Sequence, residues 1–511
     1  MNLRTMDSSR NKAIARNTVY LYTRTGVLLA ISLLTSRFLL ENLGVEELGI
    51  YNVVGGIVAL MYFLRAAQAK TTTRFVTYEL GSKSPDEQSE IYPVCFTIHI
   101  IIAIVVLIIG ETLGFFILNY WTNIPIERQF AAQLVYHFSL LLFCVNILRI
   151  PFDSVVISHE NMKIYAYISI AEVLLQFIGV LLLKFYSGDR LIAYSVLLLC
   201  VSSLIFVVYY LFVNREYKDY KIRWVWNKKE SLKVLSFSGW SLLGSTSDTV
   251  AQQGVSLLFN NFVNLIANTA LGFAYQVRSA VGTFVGSFTM AFDPQIIKLT
   301  AENDKDSLQA LIIRASKLSF ILAFLMACPL LFNIDFVLTL WLGQVPEYTK
   351  YFCIVVIISA LFDATSCFFN TAISATGDIK KYQICISISF ALDFLCAFLL
   401  LFLGFHPAIA FSSRIFARGV VNMVIGLFFC HNKVDLSIRD YLLLVLKPIF
   451  VTVLLSLSIC YPISLLFSGW TRLIAVTLIS TCVISIGTLA FVLTKKERVM
   501  ITDGIKNKLR R

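Results

Sequence analysis

The sequence predicts an all-α polytopic membrane protein of about fourteen transmembrane helices, arranged as two parallel six-helix repeats plus two extra C-terminal helices. Three observations predict this. First, the 511 residues are 58% hydrophobic and only 14% charged, with a mean hydropathy of +0.77, whereas soluble domains carry roughly a quarter charged residues. Second, apolar stretches near the ~20 residues that a spanning helix needs recur along the whole length and leave no room for a large soluble domain. Third, two segments recur at nearly constant spacing.

In order, the apolar stretches cover residues 17–40, 48–67, 91–119, 130–150, 163–186, 190–213, 236–260, 264–291, 312–333, 350–373, 380–404, 407–430, 441–467 and 470–494. The first follows Arg4, Arg10, Lys12 and Arg16 and has no small-residue cleavage site, so it reads as a retained helix and not a signal peptide. Assigning the Lys and Arg residues to alternate sides puts roughly 33 inside and roughly 5 outside, which places both termini in the cytoplasm. The richest inner loop runs over 215–233. The net charge of +12 is spread over the inner loops and forms no single patch, so it argues for topology and anionic lipid headgroups over nucleic acid. The tail 495–511 reads either as an interfacial amphipathic helix, from Ile501, Ile505 and Leu509, or as a frayed basic end.

The recurrence pairs FDSVVISHENMKIYAY from Phe152 with FNTAISATGDIKKYQI from Phe369, 217 residues apart, and the offset persists from Ile192 to Ile409. A weaker match pairs the stretch from Gly49 with that from Gly272. A repeat of six helices is even-numbered, so both copies enter from the same side, and a substrate site is expected between them near the bilayer midplane. The chain divides on this reading into a six-helix bundle (1–214), a basic cytoplasmic linker (215–235), a second bundle (236–430), and two further spans with a basic tail (431–511).

An ionised group at the centre of a spanning helix costs roughly 2.5–3.5 kcal/mol even on a permissive scale, so such residues face a cavity or a partner. Arg24 lies about 10 Å into the first span and Arg278 about 18 Å into the eighth. One comes from each half, and their planar forks suit a polyanionic headgroup such as a pyrophosphate. Arg65, Lys70 and Arg74 extend the positive path toward the cytoplasm, and Asn52 and Gln276 are weaker polar candidates. The alternative for Arg24 is a structural ion pair with Asp248. Arg37 sits near the outer end of its span and reads as a cavity or a snorkelling residue. Arg414 and Arg418, four apart on one face, either line the cavity or pair with Asp393. The acidic residues Asp248, Glu172, Asp363 and Asp393 are the available proton or cation sites, with Asp248 first because it lies in the polar run GSTSDTVAQQG.

The classes of chemistry that need a constellation are not indicated. No phosphate-binding G-x-x-x-x-G-K-[ST] occurs, the five histidines are dispersed, and the eleven cysteines show no C-x-x-C spacing. No cofactor, metal or catalytic residue is expected.

The stretch NTVYLYTRTGVLLAISLLTSRFLLENLGVEELGIYNVVGG from Asn17, the segment from Arg65 through TTTRF to Glu79, and NTALGFAYQVRSAVGTFVGSFTMAFDPQIIK from Asn268 carry a resemblance. The chain resembles bacterial polysaccharide flippases of the O-antigen Wzx type. They belong to the multidrug/oligosaccharidyl-lipid/polysaccharide exporter superfamily, which also holds the multidrug and toxin extrusion (MATE) transporters and the lipid II flippases. The resemblance implies a MATE-like fold in the bacterial inner membrane. It also implies alternating-access transfer of an undecaprenyl-pyrophosphate-linked O-antigen or capsule repeat unit, for lipopolysaccharide or capsule biosynthesis. Arg24 and Arg278 match the cationic cavity of such flippases, and polysaccharide polymerase and chain-length proteins are the implied protein partners beside the membrane lipids. Two other readings stay open: a cation-coupled multidrug exporter of the same superfamily, and a non-transporting scaffold for polysaccharide enzymes.

Overall fold

The charged residues that end several apolar stretches do not end the helices, because Lys, Arg, Glu and Ala propagate a helix nearly as well as Leu does. The structure, a computed structural model, describes residues 8–59, 61–82, 91–120, 124–263, 265–342 and 345–493. The tail 495–511, with its alternative readings, lies outside the described residues. Helices account for nearly all of what is described, and no strand occurs among the described residues.

The described residues form two compact units, which divide between Thr246 and Ser247. The first unit holds α1 (Ser8–Ala59), α2 (Tyr62–Ser82), α3 (Ile91–Tyr120), α4 (Ile126–Ser158), α5 (Met162–Leu182), α6 (Arg190–Glu216) and the start of α7 (Lys228–Phe262). The second holds the rest of α7, then α8 (Leu265–Ala301), α9 (Lys305–Phe332), α10 (Ile334–Leu342), α11 (Thr349–Ala375), α12 (Lys380–Phe402), α13 (Pro407–Arg414), α14 (Val421–Val434), α15 (Ile438–Tyr441), α16 (Lys447–Leu466) and α17 (Gly469–Gly487). A π-helical turn, Ile415–Val420, joins α13 to α14.

Ten of these spans are long and apolar enough to cross a membrane. The other four predicted spans fall on α1, α2, α7 and α8, which are long but carry the polar residues that the sequence singled out. The predicted second span is divided differently. Gly44, at φ 78 and ψ 173, breaks α1 internally, so its continuation after Gly44 already belongs to the second span. Only glycine takes that conformation without penalty.

In the first unit α4 is central, packing on α2, α3 and α6, while α1 packs on α5. Val135, Leu140, Phe143 and Ile147 of α4 are buried in one apolar cluster and Phe152, Val155 and Val156 in another. The α3–α4 contact is close because Gly110 and Gly114 present bare backbone to α4, the small-xxx-small device by which membrane helices approach. Tyr136 donates its hydroxyl to the Gly110 carbonyl at 2.6 Å, and a Cβ at Gly114 would lie 2.2 Å from the Tyr136 ring. The ring is buried and tethered, so it cannot swing away. Gly114→Ala is therefore expected to destabilise the protein by about 1–3 kcal/mol through overpacking. A lowered Tm of the purified protein checks this, beside an unchanged Tm for Gly239→Ala, where an added Cβ meets nothing within 4 Å.

The first turn of α6 is fixed by Asp189. Its carboxylate accepts from the backbone N–H groups of Leu191 and Ile192 and from Arg128, which also pairs with Glu47. Burial would raise the Asp189 carboxyl, but these donors outweigh it and hold it below the usual carboxylate range.

In the second unit α11 packs on α8, α9 and α14, and α16 and α17 pack on each other and on α9. The recurring segments occupy matching settings in the two units. Phe152 and Phe369 are both fully buried. Glu160, two residues past the end of α4, and Gly377, two past the end of α11, both have positive φ, 58 and 86. Ser154 accepts from Thr73 of α2 at 3.0 Å, and its counterpart Thr371 donates to Asp293 of α8 at 2.7 Å.

Candidate substrate cavity and charge clusters

The polarity of α7 and α8 is concentrated on a cavity of about 680 Å³ in the second unit. Along α8 the residues Ser279, Gly282, Thr283 and Gly286 recur at helical spacing, and their small side chains leave the volume open. The chemistry is supplied by Asp248 and Gln252 of α7, Tyr275, Arg278 and Asp293 of α8, and Asp363 of α11. Asp293 was not singled out in the sequence; it is held by Thr371. Arg278 has no ion-pair partner among the described residues, and it acts electrostatically on Asp248 and Asp363.

Behind the cavity wall lies a buried ion network. Arg418, in the π-helical turn, hydrogen-bonds both Asp393 of α12 and Asp248. Its guanidinium lies over the Phe390 ring at 4.6 Å. Arg414 is completely buried, with Nη1 3.5 Å from Asp393 Oδ2, and its guanidinium faces the rings of Tyr275 and Phe411 at 5.6 and 5.9 Å. Of the two settings considered for Arg414 and Arg418, the structure has the pairing with Asp393, and neither arginine lines the cavity. The carboxylate considered as a partner for Arg24, Asp248, is engaged by Arg418.

The first unit carries its own charge cluster. Arg149 of α4, only 7% exposed, contacts both oxygens of Glu172 on α5 at 3.0 and 3.1 Å and Asp153 one turn on at 3.3 Å. Hydropathy placed Arg149 at the end of a span, with the loop charges. Because α4 runs on to Ser158 the residue is interior, and its spacing of four from Asp153 was the available signal. Arg24 is half-buried with its guanidinium 4.8 Å above the Tyr165 ring, and its Nε is buried without a hydrogen-bond partner. Arg65, half-buried, acts on the same Asp153 and Tyr165 and has no ion pair among the described residues.

The remaining candidates are dispersed. Arg74 is buried on the rings of Phe75, Tyr78 and Phe237 at 4.5, 4.8 and 5.5 Å, and Lys70 is half-buried one turn earlier on α2. Gln276 is exposed and does not line the cavity of its unit. Asn52 and Arg37 fall within α1, but their side chains lie outside the described residues.

The chain is a polytopic helical protein whose polar helices carry a cavity and buried charge. A model of the MatE family matches residues 25–182, and no curated protein matches the chain by sequence. Among solved structures the chain is similar to a MATE protein in the straight conformation, at 13% identity and a TM-score of 0.72, covering 84% of this chain and 97% of that one. It is similar to an outward-facing multidrug resistance MATE family transporter of the MOP superfamily, at 14% identity and a TM-score of 0.70, covering 84% and 96%. It is also similar to a MOP superfamily transporter from Pyrococcus furiosus, at 12% identity and a TM-score of 0.69, again covering 84% and 96%; reversed polarity of that protein's binding pocket suggests a different function for it. The fold of this chain is the MATE fold, and the protein is a multi-pass membrane protein.

Proposed function

We propose that the chain is a flippase that carries an undecaprenyl-pyrophosphate-linked oligosaccharide, an O-antigen or capsule repeat unit, across the bacterial inner membrane by alternating access. The observation that carries this reading is a set of intramembrane arginines that form no ion pair among the described residues: Arg24 and Arg65 in the first unit and Arg278 in the second. An unpaired guanidinium in a spanning segment is costly. A bidentate phosphate offsets that cost, whereas a cationic drug would increase it. Arg149 is paired with carboxylates inside the first unit, and Arg414 and Arg418 share Asp393 inside the second. Lys70, half-buried on α2, extends the cationic path toward the cytoplasm, where both termini lie on this reading, whereas Arg74 is covered by aromatic rings.

The carboxylates around the second-unit cavity favour ion coupling as part of the mechanism. Asp248, Asp293 and Asp363 line it, and Asp248 is an ion-pair partner of Arg418. Asp363 is the first choice for a proton or cation exchanged during the cycle, and Asp248, Asp393 and Glu172 hold their arginines. The same carboxylates are the specific observation in favour of a cation-coupled multidrug exporter. Interaction with polysaccharide polymerase and chain-length proteins is compatible with flipping, so the scaffold reading does not exclude it.

The test is the sidedness of the lipid-linked oligosaccharide in cells depleted of the protein, read with a periplasmic enzyme that reaches only the outer leaflet. Accumulation on the inner leaflet, reversed by the wild-type chain, supports flipping. Unchanged sidedness in a strain without a second flippase, together with new drug susceptibility, would establish the exporter instead.

A further inference from the structure

The segment 217–227 between α6 and α7 contains no helix, yet it is tied down along its length. Tyr220 is buried, edge-on to Tyr92 at 5.2 Å and to His159 at 5.4 Å. Tyr217 accepts from Asn161 Nδ2 at 3.4 Å, and the Val225 N–H donates to Thr97 Oγ1 of α3 at 3.1 Å. An ordered strap fixed in this way places its remaining side chains.

Two things stand out among those side chains. Ile222, Trp224 and Trp226, at alternate positions, are 41%, 66% and 52% exposed, while Val225 between the tryptophans turns inward and is partly covered. An alternating apolar ridge with two exposed tryptophans at the end of a spanning helix matches the belt that tryptophan forms at the headgroup level of a bilayer. Beside the ridge is a second cavity, of about 380 Å³, lined by Tyr210 and Asn214 of α6 and by Lys218, Lys221 and Ile222 of the strap. Neither lysine has an ion-pair partner among the described residues. The flanking acids Glu216 and Asp219 do not line the cavity.

We infer that this cavity is a binding site for the headgroup of an anionic glycerophospholipid such as phosphatidylglycerol. Lys218 and Lys221 take the phosphodiester, Asn214 and the Tyr210 hydroxyl meet the polar glycerol, and Ile222 meets the start of the acyl chains. The charge and the apolar contact have to be satisfied together, which a soluble anion cannot do and a lipid at the interface can. Trp224 and Trp226 hold the strap at the depth where that headgroup lies. The site rests on the membrane-spanning character of the chain alone and is independent of the substrate proposed above.

The experiment uses the full-length protein in phosphatidylcholine nanodiscs doped with tail-brominated phosphatidylglycerol. Quenching of the Trp224 and Trp226 emission, taken as the difference from Trp224→Phe/Trp226→Phe, is read against mole fraction. Half-quenching is expected at a mole fraction well below that found with brominated phosphatidylcholine. In Lys218→Ala/Lys221→Ala it is expected to rise about 30-fold, the equivalent of ~1 kcal/mol for each of two lysines near the surface. Lys218→Arg/Lys221→Arg is expected to retain it, and Lys228→Ala/Lys229→Ala, outside the cavity, to shift it far less. Equal quenching by the two lipids would overturn the site, as would an unchanged curve in the double alanine variant when its elution profile matches wild type. Displacement of the lipid by millimolar inorganic phosphate would assign the cavity to a free anion instead.

Discussion

Arg278→Ala is expected to reduce delivery of lipid-linked oligosaccharide to the outer leaflet by about 30-fold or more while leaving the amount and Tm of the protein unchanged. The side chain lines an open cavity and makes no ion pair among the described residues, so its removal breaks no salt bridge and takes away only its through-space action on Asp248 and Asp363. What it removes is a charge-assisted contact to the headgroup, and losing one partner of a desolvated charged pair costs roughly 2–5 kcal/mol in binding. Arg24→Ala is expected to act in the same direction in the first unit. Its guanidinium lies on Tyr165, so a cation–π contact of about 0.5–2 kcal/mol is lost as well and Tm falls slightly. The readouts are surface polysaccharide, protein level by immunoblot, and Tm after purification. Normal polysaccharide in both variants would sink the assignment of these arginines to the headgroup.

Asp393→Ala is expected to produce the largest loss of stability. The carboxylate is 2% exposed, accepts from Arg418 Nε and is the carboxylate nearest the fully buried Arg414. Removing it leaves the Arg414 charge uncompensated, and breaking a buried pair in this way costs about 3–5 kcal/mol. Asp393→Asn keeps the shape and one acceptor oxygen, so it is expected to fall between the alanine variant and wild type. The measurement is thermal unfolding in detergent, with Arg278→Ala as the reference that should not move. A wild-type Tm for Asp393→Ala would show that Arg414 and Arg418 are held by something other than this carboxylate.

The two predictions separate charges that look alike in the sequence. Arg278 and Arg418 are both single arginines within apolar stretches, and hydropathy assigns both the same cost. They differ in what stands opposite. Arg418 meets Asp393 from α12 and Asp248 from α7, residues 25 and 170 positions away, whereas no carboxylate among the described residues forms an ion pair with Arg278. Arg149 shows the reverse case. Its apolar stretch ends at 150, yet α4 continues to Ser158 and carries the arginine into a buried pair with Glu172. A hydropathy boundary marks where lipid-compatible side chains stop and does not report where the backbone leaves the helix.

The fold was largely legible because the bilayer imposes a one-dimensional rule: each spanning segment must satisfy its own backbone hydrogen bonds, so length and apolarity suffice to place helices. The recurrence around Phe152 and Phe369 was legible for a similar reason, since a buried ring followed by a positive-φ turn is a local pattern repeated in the chain. The polar run GSTSDTVAQQG on α7 was legible as well. The sequence by itself therefore determined the all-helical membrane architecture, the duplicated segments and the short list of intramembrane charges. Only the tertiary structure decided which arginines are neutralised, that Asp293 joins the cavity lining, and that the strap at 217–227 encloses a second cavity. Each of these depends on side chains from helices distant in the chain meeting at one point, and the Coulomb energy that sorts a paired from an unpaired arginine varies with a separation of a few ångströms that no spacing along the chain encodes.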